Sequence, residues 1–448
     1  MPANSPQKPT VLVAGAGITG LSAAWLLARD GYPVEVHDAA PTAGGLLEPV
    51  QFRGLPCDRG SHRIHPESHP LLRELTSDAG WVEQPRRGRL VLGGRQMAYP
   101  PQVGDFLKGL GARTAAHMGL NFLTRPGALA GFKRWEEDRK TIDDDVGFEA
   151  FVTGRVGRRA YTQFYAPYVE KVWGLHPNEI SQTVAKARIS TASPLTTLSK
   201  ALKSGPVPDR VFLYPRGGMV ELIEFFQTGL KLAGVPIHYD SPIGTKEVQA
   251  WKGPVLYSGH LSDLVDQPNL KHRGLYLLHI ALPKGSVGQT DTFYLPERDF
   301  WFGRVSQPAR FSDELSDDEC DVLCLEIPEG RWGNDHDFSE DILKIQAQLV
   351  HAGIIPSTVD IGEMKQTFVP RVYPMYKRNW TQYWSEALRQ VASMGQILPI
   401  GRQGLFLHCN IDQCVYIADE AVRHLNAGGT AADWIPKAKG FLDLRVRD

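Results

Sequence analysis

The stretch VLVAGAGITG, residues 11–20, limits what this chain can fold into more than any other. TVLVAG reads as a short buried strand. Gly15, Gly17 and Gly20 then set a G-x-G-x-x-G turn, and ITGLSAAWLLARDG continues with Leu21, Trp25 and Ala28 at helical spacing. Gly31 falls where a helix end takes a left-handed residue, and PVEVHD reads as a second strand closing on Asp38. Each position has a physical task. Gly15 permits the tight turn, Gly17 has no Cβ to hold a pyrophosphate off the backbone, and Gly20 lets helix and strand pack closely. The helix start at Ile18 and Thr19 offers free N–H groups to phosphate. A carboxylate at Asp38 can accept hydrogen bonds from an adenosine ribose. These features predict a Rossmann-like α/β unit holding a dinucleotide. Asp38 suits FAD and NAD alike and opposes NADP, whose extra phosphate it would repel.

The rest of the chain sets outer bounds. Its 448 residues suit two or three domain-sized bodies. The 49 basic and 50 acidic residues nearly cancel, which gives no support to a nucleic-acid partner. Cys57, Cys320, Cys324, Cys409 and Cys414 form no C-x-x-C pair and are odd in number, as expected of reduced thiols in a cytoplasmic enzyme. MPANSPQKPT lacks the apolar centre of a signal peptide, and no apolar run reaches the length of a membrane span. Residues 109–132 read as helical hairpin or lid material, with a peripheral membrane contact as the lesser alternative.

A second glycine pair, Gly44-Gly45, precedes Leu46, and DRGSHRIHP follows with Gly60, Ser61 and His62. Together with Gly15–Gly20 and Asp38, these segments resemble the FAD-binding opening of the amine oxidase, protoporphyrinogen oxidase and UDP-galactopyranose mutase superfamily. Asp38 stands where Glu is commoner, and the Arg usual in and before the second glycine motif is missing. Three later segments extend the resemblance. YTQFYAPYVEKVWGL carries Trp173, which the resemblance places against the substrate and helical spacing alone places in the core. YPRGGMVELIEFF brings Gly217 and Gly218 to a turn that borders the flavin in the family. LPIGRQGLFLHCNIDQ supplies Gly401, Arg402, Asp412 and Gln413, similar to the last flavin-binding segment, with a helix cap as the other reading of Asp412.

Alternating runs at 275–282, 291–297, 300–305 and 321–327 predict a mostly antiparallel sheet, and 339–353 a helix with Ile342, Ile345, Leu349 and Val350 on one face. The expected fold is therefore α/β: a discontinuous Rossmann-like FAD-binding domain (1–79, 207–264 and 396–448) with a discontinuous α+β substrate domain (80–206 and 265–395). The resemblance implies noncovalent FAD, since the tethering Cys of the family lies upstream of the segment holding Cys409. The candidate cavity residues are His62, Trp173, Arg304, Arg371 and Tyr376. His62 reads as a flavin neighbour or a satisfied loop histidine. His62, His65 and His69 lie too loosely spaced, in a segment matching a flavin loop, for a metal site to be expected. The leading expectation is an FAD-dependent oxidoreductase taking a hydride from a small organic molecule. The alternatives are a mutase-like flavoenzyme acting on a nucleotide sugar without net redox, and a noncatalytic flavin-binding partner protein. Against the mutase, its loop arginine has no counterpart in ISTASPLTTL (189–198). Oligomeric state stays open.

Overall fold

A computed structural model describes residues 8–99, 117, 120, 146–188, 211–330 and 332–444, with backbone only at 186–188. The 109–132 segment, apart from two positions, and 189–198 lie outside them. Five parallel strands form one sheet in the order Ile397–Pro399, Val255–Tyr257, Val11–Ala14, Val34–His37, Ile237–His238. All four residues of Val11–Ala14 are buried, as expected of a central parallel strand covered on both faces. Successive strands run outward from Val11–Ala14 to one side and then, after Ile237–His238, to the other. The reversal opens a crevice between Val11–Ala14 and Val255–Tyr257, at the strand ends carrying the glycine turn and Ser258.

Helix Ile18–Arg29 is buried through its first two turns, more widely than Leu21, Trp25 and Ala28 alone require. It is held between helices Ile411–Asn426 and Val220–Leu232. Trp25 is half-buried and lies over Gly229, where a Cβ would fall 2.5 Å from its Nε1. On Val220–Leu232 the apolar spacing turns Leu222, Phe226 and Leu230 into the core, and Met219 just before it is buried too.

A second sheet of seven strands runs Met364–Pro374, His272–Pro283, Cys320–Pro328, Arg304–Ser306, Thr292–Tyr294, Arg89–Leu92, Arg95–Ala98. Every pairing is antiparallel except Thr292–Tyr294 with Arg89–Leu92. Its core joins Leu278, Ile280, Leu323 and Leu325 to Ile345 and Leu349 of helix Ile342–His351, which ends before Gly353 at φ +64°. Strands Trp81–Pro85 and Val211–Pro215 pair between the two sheets in sequence. Tyr161–Tyr165 forms a π-helical turn ahead of helix Ala166–Trp173. Among the described residues no helix is long and apolar enough to cross a membrane.

Candidate active site

The glycine turn owes its shape to steric limits that can be located atom by atom. Gly15 has φ +106°, and a Cβ there would lie 2.3 Å from Ser258 Oγ. The Ser258 hydroxyl donates to the carbonyls of Ala14 at 2.9 Å and Gly15 at 3.3 Å. A Cβ on Gly20 would lie 1.8 Å from the Gly15 carbonyl oxygen, so helix and turn meet only through glycine. Gly17 differs. Its φ is −77°, and the nearest atom to a Cβ would be the Gly44 carbonyl oxygen at 3.8 Å. A Cβ would fit here at ordinary contact distance, beside the uncapped helix start at Ile18 and Thr19. Asp38 braces the turn: its carboxylate accepts from Ala16 N at 2.5 Å and Ala40 N at 2.8 Å.

The second glycine turn packs edge to edge on the first. Gly44 N donates to the Ala16 carbonyl at 2.9 Å, and Gly17 and Gly44 form a parallel bridge. Gly45, at φ +57°, leads into a 3₁₀ turn with Leu46. Arg59 reaches this turn from the following segment, donating to the Gly45 carbonyl at 3.1 Å and pairing with Glu48. A guanidinium therefore does serve the second glycine motif, supplied from outside it. Sequence reading passed over Arg59, although it lies within the DRGSH string.

The loop 58–62 joins the two sheets. Asp58 is buried, accepts from Tyr214 OH at 2.7 Å and from Met219 N at 3.2 Å, and is pushed up to about 7 by burial against those two donors. The Met219 contact sets the Gly217-Gly218 turn, with Gly218 at φ +102°, against this loop. Glu326, buried on strand Cys320–Pro328, accepts from Ser61 N at 2.9 Å and holds Arg304 by two bonds of 2.7 Å. Gly60, at φ +99°, lies against it, since a Cβ there would approach Glu326 Oε1 to 3.1 Å. His62 follows, its Nδ1 4.0 Å from Asp58 Oδ2. Burial first, then the positive charges of Arg304 and Arg402, lower His62 to about 4 against the opposing pull of Glu326. His62 is thus neutral at ordinary pH.

Arg402 closes the site from the C-terminal segment. It donates to the carbonyls of Cys409 at 3.1 Å and Val372 at 3.0 Å, and lies 2.9 Å from His408 Nδ1. Gly401, at φ +70°, packs on Thr19, where a Cβ would lie 2.4 Å from Thr19 Oγ1. Trp384 and Trp434 steady this turn through their indole N–H bonds to Leu405 and Pro399. Asp412 accepts from His69 N at 2.8 Å and Gln413 from Asn410 N at 2.9 Å, so both side chains secure the start of helix Ile411–Asn426.

The remaining candidates divide. Trp173 is buried, with Tyr373 at a ring separation of 6.3 Å, and Tyr373 in turn lies 6.0 Å from the Arg402 guanidinium. The structure thus links His62, Arg304, Arg402 and Trp173 through Glu326 and Tyr373. Tyr376 is buried behind them, donating to the Phe406 carbonyl at 3.1 Å, accepting from His408 N at 2.7 Å and stacking on Trp380. Arg371, at φ +55°, is exposed and paired with Asp263 at 2.5 Å. It stands near His260 and His272, which burial lowers to about 3. Glu326 and Ser258 were not legible as site residues, because a strand glutamate and a serine after a strand carry no motif of their own.

These residues fit FAD. Among the described residues, the buried Arg59 Nε, Ser61 Oγ, His62 Nδ1, Ser68 Oγ and Arg402 Nε have no hydrogen-bond partner. Four of the five lie in residues 59–68 and the fifth in the C-terminal turn. Buried polar atoms are seldom left so, and a polar ligand with phosphate and ring oxygens supplies what they lack.

Comparison with known proteins places the fold and its relatives. Residues 13–79 match the NAD(P)-binding Rossmann-like domain family. The chain is 28% identical over 213 residues to a Mycobacterium tuberculosis protein named "Putative flavin-containing monoamine oxidase AofH", covering 46% of each, so the match takes in less than half of that relative's length. It is 37% identical over 105 residues to hydroxysqualene dehydroxylase of Rhodopseudomonas palustris, 20% of this chain and 25% of the relative. Its fold is that of reduced UDP-galactopyranose mutase, with TM-score 0.80 at 17% identity over 98% of this chain and 100% of that one. It is also that of cyclohexylamine oxidase from Brevibacterium oxydans IH-35A, with TM-score 0.62 at 14% identity over 94% and 100%. The chain is an α/β protein with a Rossmann-like domain and resembles flavin-containing amine oxidases in sequence.

Proposed function

We propose that this chain is an FAD-dependent oxidoreductase that holds its cofactor noncovalently and takes a hydride from a small organic substrate. The observation that carries the reading is the glycine turn itself, where Gly17 carries no side chain although a Cβ would fit, beside an uncapped helix start. When bound, FAD supplies a hydride acceptor at its ring. The chain's own residues then have separate tasks. The amides at Ile18 and Thr19, with Arg59 and Arg402, neutralise phosphate or ring oxygens. Asp38 keeps the turn in register. His62, neutral and close to Asp58, offers a hydrogen bond without adding charge. Trp173 and Tyr373 shield the neighbourhood of Arg402 from water.

The purified protein should be yellow, and anaerobic addition of substrate from a panel of amines and alcohols should bleach it. A protein that stays colourless in excess FAD defeats the proposal. The fold match to the mutase favours a second reading, a flavoenzyme acting on a nucleotide sugar. Its mark is binding of UDP-sugars with turnover only after dithionite reduction. Flavin that binds yet responds to neither treatment points to the noncatalytic alternative.

A further inference from the structure

Beside the dinucleotide turn, at the outer edge of the parallel sheet, three side chains with metal-binding atoms come close together. Strands Val34–His37 and Ile237–His238 pair in parallel, with His37 directly opposite His238. Glu35 and His37 are two residues apart on one strand, so they share a face. The imidazoles of His37 and His238 stack with centroids 4.5 Å apart and planes inclined by 29°. His37 Nε2 lies 3.6 Å from Glu35 Oε2. One donor atom from each of the three residues lies within 4.8 Å of the other two.

Two further observations concern His37 alone. Its Nδ1 lies 2.8 Å from Ser241 Oγ, while its Nε2 is buried and has no hydrogen-bond partner among the described residues. That division is how a metal-binding imidazole is commonly held: the outer nitrogen is fixed by a neighbour and the inner one is left as a lone pair. The strand register supplies the other half of the geometry, because it delivers the second imidazole to the same spot.

We propose that Glu35, His37 and His238 bind one divalent late-transition-metal ion of the Zn²⁺ class, tying the outermost strand of the sheet to its neighbour. Two imidazoles and a carboxylate suit such ions and leave a fourth position for water. Ligand bonds of about 2.0–2.2 Å require the three donors to close and the two stacked rings to unstack, because an ion lies in the plane of each imidazole it binds. His238 is exposed, so its ring can turn inward without disturbing the core. The ion would also bear on the dinucleotide turn, because the His37 carbonyl accepts from Gly15 N at 2.7 Å and Asp38 follows next in the chain.

The test uses the full-length protein, stripped with EDTA, desalted, and titrated with zinc chloride against a chromophoric zinc indicator. The wild type should take up one zinc equivalent more than the His37→Ala/His238→Ala double variant, and its melting temperature should rise with zinc. His238→Ala, at an exposed position where folding is not at risk, should lose that equivalent and the thermal shift. Ser241→Ala removes only the partner of Nδ1 and should weaken zinc binding by about tenfold, with the stoichiometry kept. Equal zinc binding and equal thermal shifts in the wild type and His238→Ala overturn the proposal.

Discussion

Glycines in this turn are small for two different reasons, and the difference can be measured. At Gly20 the obstacle is the chain itself, since a Cβ would lie 1.8 Å from the Gly15 carbonyl oxygen. At Gly17 the chain offers no obstacle, with 3.8 Å to the nearest atom and an ordinary φ. Gly20→Ala should therefore destabilise the protein without ligand, by about 2 kcal/mol or more in urea unfolding, as overpacking does. Gly17→Ala should leave that stability nearly unchanged and weaken FAD binding at least tenfold in fluorescence titration. Asp58 and His62 make a second contrast at this scale. Asp58 is raised to about 7, so its contribution to stability is full below the unfolded value of about 4 and is lost as pH rises to about 7. His62 is lowered to about 4, so its contribution is full above about 6.5 and is lost as pH falls toward 4. The two slopes oppose each other in the wild type. Relative to wild type, the melting temperature of Asp58→Asn should climb from pH 4 to 7, and that of His62→Gln should fall over pH 4 to 6.5.

At the scale of elements, strand Cys320–Pro328 does more than fill the centre of the second sheet. Through Glu326 it fixes Arg304 on the adjacent strand and Ser61 on the loop that carries His62. Glu326 is 4% exposed, so removing its charge leaves the Arg304 guanidinium without its counter-ion in a largely dry setting. Glu326→Gln should cost about 3 kcal/mol in urea unfolding, and Arg304→Met/Glu326→Met should cost less than Glu326→Gln alone, because both charges leave together. Equal losses in the two variants would show that shape, rather than charge, matters at this strand. The same two bonds explain why Arg304, read from sequence as a candidate cavity residue, is engaged within the protein. Sequence alternation puts a strand at 300–305, where the structure has Arg304–Ser306, and the partner lies across the sheet, which only strand pairing decides. Tyr376 illustrates the same point, since its hydroxyl is taken up by the Phe406 carbonyl and His408 N.

For the molecule as a whole, the proposed cofactor contacts come from residues 15–46, 59–62 and 401–413, segments far apart in the chain. We propose that the strands of the parallel sheet, drawn from 8–79, 211–264 and 396–444, make up one FAD-binding domain, and that the seven-stranded sheet belongs to the substrate domain. A ligand spanning these segments stabilises the folded state by about 2.7 kcal/mol at a hundredfold excess over its dissociation constant. FAD should accordingly raise the melting temperature in differential scanning fluorimetry. FMN, lacking the adenosine half that the glycine turn is placed to hold, should raise it far less; equal shifts would place binding elsewhere. The strand, turn, helix and second strand of residues 11–38 were legible from sequence, because Cβ exclusion, helical spacing and strand alternation act over a few neighbouring residues. So was the mostly antiparallel character of the second sheet. What tertiary structure alone decided is which side chains meet: Arg59 with the Gly45 carbonyl, Arg304 with Glu326, Arg371 with Asp263, His37 with His238. Those meetings depend on sheet register and loop closure between residues distant in the chain, and no local pattern of amino acids encodes them.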